Sequence, residues 1–196
     1  SSVMKITRNQ IESLFVDFKG KKVMILGDVM IDAYLRGKVD RISPEAPVPV
    51  VSVKKRENLL GGAANVALNI KSLGAVPVLC SVIGNDIKGD EFTSLLQQDG
   101  ISCEGIIRSS GRITTTKYRV IGNNVQILRF DEEIDTDLDQ SDEEKLLIAI
   151  DTILKKNQIA VIILQDYNKG VLTRRVIDEL LVRALKAGIP VVVDPK

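Results

Sequence analysis

The sequence predicts an α/β fold in which a parallel β-sheet is covered by helices on both faces, with a small β lid beside it. Predicted strands alternate with predicted helices, and each strand is a continuous run of Val, Ile and Leu, as in strands buried on both faces. Two β-rich segments, about 34–55 and 113–131, do not fit this alternation and predict the lid. The length of 196 residues suits one ordinary domain or part of a larger one.

The first two elements follow from local spacing. Thr7 and Gln10 form a capping box, and the apolar residues that follow recur at helical spacing, which predicts a helix over 7–18. The apolar run 22–26 is short and continuous. It predicts a buried strand.

Three prolines mark the first lid segment. Pro44, Pro47 and Pro49 precede or interrupt the β-rich run 48–53. Proline is poorly tolerated in a central strand, because it has no N–H for the ladder. The segment is therefore predicted to be an edge or protruding β element outside the core.

The rest of the chain alternates between helices and strands. Helices are predicted where apolar residues recur at helical spacing, and strands where apolar runs are continuous. A hairpin turn is predicted at Asn123-Asn124, and Ser141 and Glu144 are predicted to cap the next helix. The predicted helices span 63–73, 88–98, 143–156 and 173–187, and the predicted strands span 76–83, 101–108, 113–121, 125–131, 159–164 and 191–193.

The composition excludes several classes of function. The chain has no histidine, which excludes Ser-His-Asp and Cys-His catalytic units and histidine-ligated metal sites. Its 27 Lys and Arg nearly balance 26 Asp and Glu, for a net charge of +1. No overall field favours nucleic acid or an anionic membrane as a partner. Any chemistry must use carboxylates, Lys, Arg, hydroxyls and backbone amides.

The expected compartment is the cytoplasm. The longest apolar run, 159–164, is too short to span a bilayer, and the N-terminal residues lack the apolar core of a signal peptide. Cys80 and Cys103 each lie in an apolar, strand-like run. Free buried thiols are the favoured interpretation, and a disulfide is the alternative.

Aspartates follow three predicted strands. Ligands of open α/β sheets bind beyond the carboxyl ends of the strands, and Asp32, Asp166 and Asp194 lie at or just beyond such ends. Asp28 also follows the first strand. These carboxylates either accept hydrogen bonds from sugar hydroxyls in a shared crevice, or only cap loops and turns.

Two further features have both a functional and a structural interpretation. Gly61 and Gly62 precede a helix, where missing Cβ atoms allow a close approach and where Asn65 can contact a hydroxyl. A tight turn explains the glycines equally well. Lys117 and Arg119 alternate onto one face of a strand, which is either a phosphate grip or a solvated face.

Five motifs together resemble those of the ribokinase-like (PfkB) carbohydrate kinases. They are GDVMIDAY, DRISPEAPVPVV, GGAANVALNIKSLGA, DYNKG and the terminal DPK, and the resemblance runs from about 22 to 196. The second motif, combined with GGAANVA, is similar to the heptose 7-phosphate branch of that family. The resemblance implies ATP- and Mg²⁺-dependent phosphorylation of D-glycero-D-manno-heptose 7-phosphate at its anomeric hydroxyl. This reaction belongs to ADP-heptose synthesis for lipopolysaccharide.

The resemblance also implies a role for each candidate residue and a homodimer formed through the lid. The sugar pocket would contain Asp32, Gly61, Gly62 and Asn65. Lid cations that cover the sugar and meet its phosphate would be Arg41, Lys117 and Arg119. Asp166 and Lys169 would lie between the sugar and the nucleotide, and Asp194 and Lys196 would reach toward the ATP phosphates and the metal.

One family motif is missing from the 196 residues. The D-T-x-G-A-G-D signature, which in that family supplies an anion hole and an aspartate base, does not occur. The chain is therefore expected to be the N-terminal portion of a single kinase domain, without its nucleotide-binding third and inactive alone. A non-catalytic sugar-phosphate binding or dimerisation module and another PfkB-type sugar kinase are the alternatives.

Overall fold

The computed structural model describes residues 3–5, 9, 13 and 16–194. Most of the helix predicted over 7–18 lies outside these residues, and so does Lys196. The last part of that predicted helix is a short 3₁₀ helix, Val16–Phe18.

The described part of the chain contains ten β-strands and four α-helices. The strands are β1 (Val3–Lys5), β2 (Lys22–Gly27), β3 (Val29–Ile42), β4 (Pro49–Gly62), β5 (Val76–Gly84), β6 (Gly105–Ser109), β7 (Thr116–Gly122), β8 (Val125–Glu132), β9 (Ile159–Gln165) and β10 (Val191–Asp194). The helices are α1 (Ala63–Ser72), α2 (Ile87–Gln98), α3 (Gln140–Lys156) and α4 (Arg174–Ala187). The predicted α/β alternation is confirmed.

Six strands form a parallel sheet in the order β1-β10-β9-β2-β5-β6. Successive residues of β2 point to opposite faces. Val23 and Ile25 join the buried cluster under α1 and α2, whereas Met24 and Leu26 join the cluster under α3 and α4. The sheet is therefore covered on both faces, as its continuous apolar runs predict.

The remaining four strands form the predicted lid, a second sheet in the order β4-β3-β7-β8. β3 begins at Val29, so the lid leaves the carboxyl edge of the main sheet directly after β2. The lid is longer than predicted, because β4 stays paired with β3 up to Gly62. Pro44 and Pro47 lie in the turn between these strands and Pro49 begins β4, where a missing N–H costs least.

The hairpin turn of the second lid segment lies at Asn123-Asn124, as predicted. Both residues have left-handed φ angles of 50° and 64°, which asparagine tolerates better than most residues. The Asn123 side chain accepts from the Val39 N–H (3.1 Å) and donates to the Val39 carbonyl (2.8 Å). The hairpin is thereby attached to β3.

The strand predicted over 101–108 begins too early. β6 starts only at Gly105, because the preceding residues form a turn in which the Glu104 N–H donates to Ser102 Oγ (3.2 Å). That hydrogen bond takes the backbone away from the sheet, although the apolar pattern continues.

The predicted cap of α3 is wrong. The helix begins earlier than predicted, at Gln140, and Asp139 Oδ1 accepts a hydrogen bond from the Asp142 N–H (2.8 Å). Ser141 and Glu144 both lie inside the helix. An aspartate two residues upstream of Ser141 therefore takes the capping position.

Both cysteines are free thiols, as predicted. Cys80 is buried and Cys103 is half-buried. Burial, with a smaller contribution from Glu104, raises the pKa of the Cys80 thiol to about 12, so it stays protonated at neutral pH. Among the helices that the structure describes, none has the length and apolarity to cross a membrane.

Candidate functional site

The carboxyl edge of the main sheet brings together two of the three predicted strand-end aspartates. The ends of β2, β9 and β10 are in register, with Gln165 beside both Gly27 and Asp194. Asp166 and Asp194 therefore lie at neighbouring strand ends. Asp32 lies farther out, inside lid strand β3, because the chain continues from β2 straight into the lid.

A cavity of about 400 Å³ lies where the lid meets α1 and α2. This volume is within the range of small-molecule sites. Its lining mixes carboxylate and amide side chains with leucines. The lining residues are Asp32, Asn58, Leu59, Leu60, Asn65, Leu68, Leu95 and Asp99. Asp32 and Asn65, two of the residues proposed from the sequence for a sugar pocket, thus share a cavity, whereas Asn58 and Asp99 were not identified from the sequence.

The two glycines before α1 have structural roles that require the absence of a side chain. A Cβ on Gly61 would lie 2.5 Å from Asp32 Oδ2 and 2.8 Å from Met30 Cγ. Gly62 has a φ of +62°, and its Cβ would lie 2.5 Å from the Asp28 carbonyl oxygen. Gly62 therefore makes the turn from β4 into α1, and Gly61 leaves room for the Asp32 carboxylate.

Asp28 anchors a loop rather than facing the cavity. It is 1% exposed, and its carboxylate accepts hydrogen bonds from the N–H groups of Tyr167 (2.8 Å), Lys169 (3.2 Å) and Val171 (3.1 Å). Burial raises its pKa above the usual value, although these hydrogen bonds oppose that shift, and the nearby charge of Asp166 adds to it. Of the two interpretations of Asp28, the structure supports loop capping.

Arg112 holds the same loop from the other side. Its guanidinium donates to the Lys169 carbonyl (2.6 Å) and to the Thr136 carbonyl (2.5 Å). Burial lowers the pKa of Arg112, although several carboxylates, among them Asp142 and Asp28, act in the opposite direction. Arg112 was not identified from the sequence, because its partners are distant in the chain.

The loop after β9 carries Asp166 and Lys169. Asp166 Oδ1 accepts from the Asn168 N–H (2.8 Å), and Asn168 has a left-handed φ of 59°. The Lys169 ammonium lies 2.8 Å from a carboxylate oxygen of Glu133. Lys169 therefore has a fixed carboxylate partner that was not identified from the sequence.

The lid has one charged face. Lys117 is the register neighbour of Asp32, and Arg119 forms an ion pair with Asp32 at 2.9 Å. Arg41 is exposed near the far end of β3. It lies nine positions farther along the strand than Asp32, or about 30 Å away. On the neighbouring strand β8, Arg129 pairs with Asp131 (3.0 Å).

Comparison with known proteins matches almost all of the chain. The signature of the family described as "pfkB family carbohydrate kinase" matches residues 20–196. "Bifunctional protein HldE" of Geotalea uraniireducens (strain Rf4) is 42% identical over 189 residues, 96% of this chain and 38% of that protein. "Bifunctional protein HldE" of Helicobacter pylori (strain J99) is 45% identical over 177 residues, 90% of this chain and 38% of that protein. The chain thus spans well under half the length of these relatives.

Solved structures share the fold at low sequence identity. Phosphofructokinase-2 from Escherichia coli, in complex with substrates and products, has a TM-score of 0.66 and 18% identity, covering 90% of this chain and 54% of that one. Arabidopsis thaliana ribokinase, complexed with ribose and ATP, has a TM-score of 0.58 and 16% identity, with the same coverage of 90% and 54%. At such identities these likenesses show the fold alone.

Proposed function

Because the chain belongs to the pfkB family of carbohydrate kinases, we propose that it is the sugar-binding, lid-bearing part of a kinase acting on D-glycero-D-manno-heptose 7-phosphate. The complete enzyme would phosphorylate the anomeric hydroxyl, a step in ADP-heptose synthesis for lipopolysaccharide. The observation that carries the proposal is the cavity of about 400 Å³ that Asp32 and Asn65 share below the lid. The motifs DRISPEAPVPVV and GGAANVA, which are similar to the heptose 7-phosphate branch of the family, support the heptose specificity.

The lining of the cavity suits a sugar. The Asp32 carboxylate accepts hydrogen bonds from hydroxyl groups, and a charged acceptor makes stronger bonds than a neutral one. The amides of Asn58 and Asn65 can both donate and accept. The leucine side chains offer an apolar wall to the carbon skeleton of the ring. Such a lining orients a polyol better than it holds a flat or fully apolar ligand.

The lid cations support a phosphorylated substrate. Lys117 lies beside Asp32 on β7, and Arg119 is two residues farther on the same face. A phosphate at the far end of a heptose bound to Asp32 would meet positive charge on this face. Arg41 lies too far along β3 to share one small ligand with Asp32 of the same chain, so its proposed role would require a second copy.

The strand-end aspartates support a nucleotide with its metal. No cluster of three acidic or cysteine side chains able to hold a metal occurs among the described residues. Mg²⁺ bound to nucleotide phosphates needs only one or two protein carboxylates. Asp166 and Asp194 fit this need, because they lie at neighbouring strand ends. Lys196, outside the described residues, would add a cation toward the phosphates.

We assign sugar binding, but no phosphoryl transfer, to the 196 residues alone. Phosphoryl transfer depends on positioning and on stabilising charge at the transferred group. ATP and Mg²⁺ would supply the phosphoryl group and part of that stabilisation. The D-T-x-G-A-G-D motif, which in that family supplies the anion hole and the aspartate base, does not occur in these residues. Asp32 and the lid would hold the heptose in place.

A homodimer through the lid is part of the proposal. Leu128 and Phe130 pair with Val120 and Tyr118, which alternate along β7 with the cations Lys117 and Arg119. The lid therefore has an apolar face opposite its charged face. Leu128 and Phe130 are 53% and 41% exposed. Apolar side chains exposed together on one face are typical of an interaction surface.

A cytoplasmic location follows from the same proposal. The reaction needs ATP as a co-substrate. The two free cysteines suit a reducing compartment, where thiols are not converted to disulfides.

Calorimetric titration of the 196-residue chain tests the function. D-glycero-D-manno-heptose 7-phosphate is expected to bind wild type, fructose 6-phosphate is expected to bind more weakly, and D32N is expected to lose at least tenfold in affinity for the heptose. A coupled assay with ATP is expected to show no turnover. Turnover by the chain alone would contradict the assignment of binding without transfer. Absence of heptose 7-phosphate binding would contradict the sugar site itself.

The alternative is a non-catalytic module that binds sugar phosphate or dimerises and is not part of a kinase. The observation that favours it is the exposed apolar face of the lid, which suits association whether or not catalysis follows. Reading the coding sequence beyond Lys196 separates the two. A GAGD motif there supports the kinase, and a stop codon supports the module.

A further inference from the structure

Arg119 lies behind Asp32 as seen from the cavity. Its Nη1 is 2.9 Å from Asp32 Oδ1, and the two side chains are only 22% and 24% exposed. Of these two partners, Asp32 alone is among the described residues that line the cavity. The guanidinium thus contacts the residue proposed to bind sugar, and that residue lies between it and the cavity.

Tyr34 holds the guanidinium of Arg119 in this position. The guanidinium carbon is 5.5 Å from the centroid of the Tyr34 ring, and that of Arg36 is 5.1 Å from the same ring. Cation–π contacts of this kind restrict a long side chain that would otherwise be mobile. Arg119 is consequently fixed by an ion pair on one side and an aromatic ring on the other.

The second oxygen of Asp32 occupies a space that only a glycine leaves free. Oδ2 lies next to Gly61, where a Cβ would be only 2.5 Å away. Asp32 therefore has one oxygen paired with Arg119 and the other in the space left by Gly61. The ion pair with Arg119 fixes the orientation of the carboxylate, and Oδ2 still has lone pairs free for hydroxyl donors.

From this geometry we propose that Arg119 is a positioning residue, which acts on the sugar through Asp32 instead of gripping the phosphate. The proposal rests on the proposed function and gives Lys117 and Arg119, two of the three lid cations, different tasks. Lys117, which has the register position next to Asp32, would meet the phosphate. Arg119 would hold the carboxylate in the orientation that sugar hydroxyls need.

A double-mutant cycle on heptose 7-phosphate affinity tests this division. Wild type, D32N, R119Q and D32N/R119Q are compared by calorimetry. D32N and R119Q are each expected to weaken binding about tenfold. The double variant should be little weaker than D32N alone, because Arg119 acts only through Asp32. K117Q is the matched control. The loss of affinity that it causes should add to the loss caused by D32N.

The unphosphorylated heptose gives a second readout. R119Q is expected to weaken binding of the heptose and of its 7-phosphate by the same factor, whereas K117Q should affect only the 7-phosphate. R119K keeps the charge next to Asp32 but loses the planar stack on Tyr34, so it should fall between wild type and R119Q. Circular dichroism checks that each variant is folded, and R119K replaces R119Q if the latter unfolds.

Each outcome has a separate meaning. Additive losses of D32N and R119Q, or a loss by R119Q for the 7-phosphate alone, would overturn the positioning role and leave the sugar site intact. Non-additive losses with equal effects on both ligands would support the role. Failure of wild type to bind either ligand would contradict the proposed function, and the role of Arg119 would fall with it.

Discussion

At the scale of single residues, Asp28 is a buried carboxylate whose partners are main-chain groups. Three N–H groups of one loop converge on its two oxygens, as amides do in an anion-binding nest. Here the anion belongs to the protein itself. The loop that carries Asp166 and Lys169 is therefore held in place before any ligand binds.

D28N is expected to loosen this loop. The asparagine amide replaces one acceptor oxygen with a donor that faces backbone N–H groups, so the folded state should lose about 2–3 kcal/mol. Hydrogen exchange at the Tyr167, Lys169 and Val171 amides should accelerate. D166N is the control, because the hydrogen bond that Asp166 accepts, from Asn168, is local to the loop. Unchanged exchange in D28N would disprove the anchoring role.

The candidate site residues that have a signal in the sequence are those next to a feature that is local in the chain. Asp32 follows a buried strand and Asn65 follows a glycine pair, and both line the cavity. Arg112 and Glu133 were not predictable in this way. Their partners, the Lys169 carbonyl and the Lys169 ammonium, are distant in the chain and become neighbours only in the folded protein. A single sequence contains no periodic signal for such contacts.

At the scale of elements, the junction of β4 and α1 constrains the shape of the cavity. G61A is expected to weaken heptose 7-phosphate binding at least tenfold in calorimetry, because the new Cβ would displace the Asp32 carboxylate. The control is G111A, since a Cβ at Gly111 has no neighbour nearer than 3.7 Å. Equal affinities of G61A and wild type would show that this carboxylate orientation is not needed.

Asp86 ties the start of α2 to the segment before β7. Its carboxylate accepts hydrogen bonds from the Gly89 N–H (2.7 Å) and from the N–H (2.9 Å) and hydroxyl (2.7 Å) of Thr114. Burial alone would raise the pKa of Asp86. The hydrogen bonds, with the charge of Arg108, outweigh burial and hold the pKa below the usual value of 3.8.

This lowered pKa predicts a pH-dependent stability. The folded state binds fewer protons at Asp86 than the unfolded state does, so its contribution is complete above pH 3.8 and is lost as the pH falls below that value. Urea unfolding of wild type and D86N across this range measures the effect. The stability difference between them should shrink on acidification. A difference that stays constant or grows would contradict the assignment.

Hydrophobic patterns predicted the elements better than their ends. The apolar runs at β2, β5 and β9 are buried on both faces of the sheet. Continuous apolar runs indicate such burial. The start of β6 and the cap of α3 depend on single hydrogen bonds, from the Glu104 N–H to Ser102 and from the Asp142 N–H to Asp139. Apolar periodicity carries no information about those bonds.

At the scale of the whole molecule, the two faces of the lid have different proposed tasks. The charged face binds the substrate, and the apolar face forms the dimer. L128D would place a charge on the apolar face without touching the cations opposite. Sedimentation equilibrium is expected to show a dimer for wild type and a monomer for L128D. I148D is the matched control, because Ile148 is 64% exposed on α3, outside the lid, and should leave the dimer unchanged. A wild-type monomer, or a dimeric L128D, would refute association through this face.

The molecule also has a cavity at the opposite edge of the main sheet. It measures about 350 Å³ and includes Lys22, Lys71, Glu104 and Asn157 in its lining. Its size is close to that of the cavity below the lid. Open α/β sheets bind ligands at the carboxyl ends of their strands, whereas this second cavity lies where β2 and β5 begin. Size alone therefore does not identify the functional site.

Because the molecule has two cavities of similar size, the place where the sugar binds can be tested directly. Heptose 7-phosphate is titrated into the isotope-labelled chain, and amide chemical shifts are followed by NMR. Binding in the cavity below the lid predicts saturable shifts at Asp32 and Asn65, which line that cavity, and at Gly61 and Lys117, which are neighbours of Asp32. Shifts confined to the residues around Lys22 at the opposite edge, or no saturable shifts at all, would contradict it.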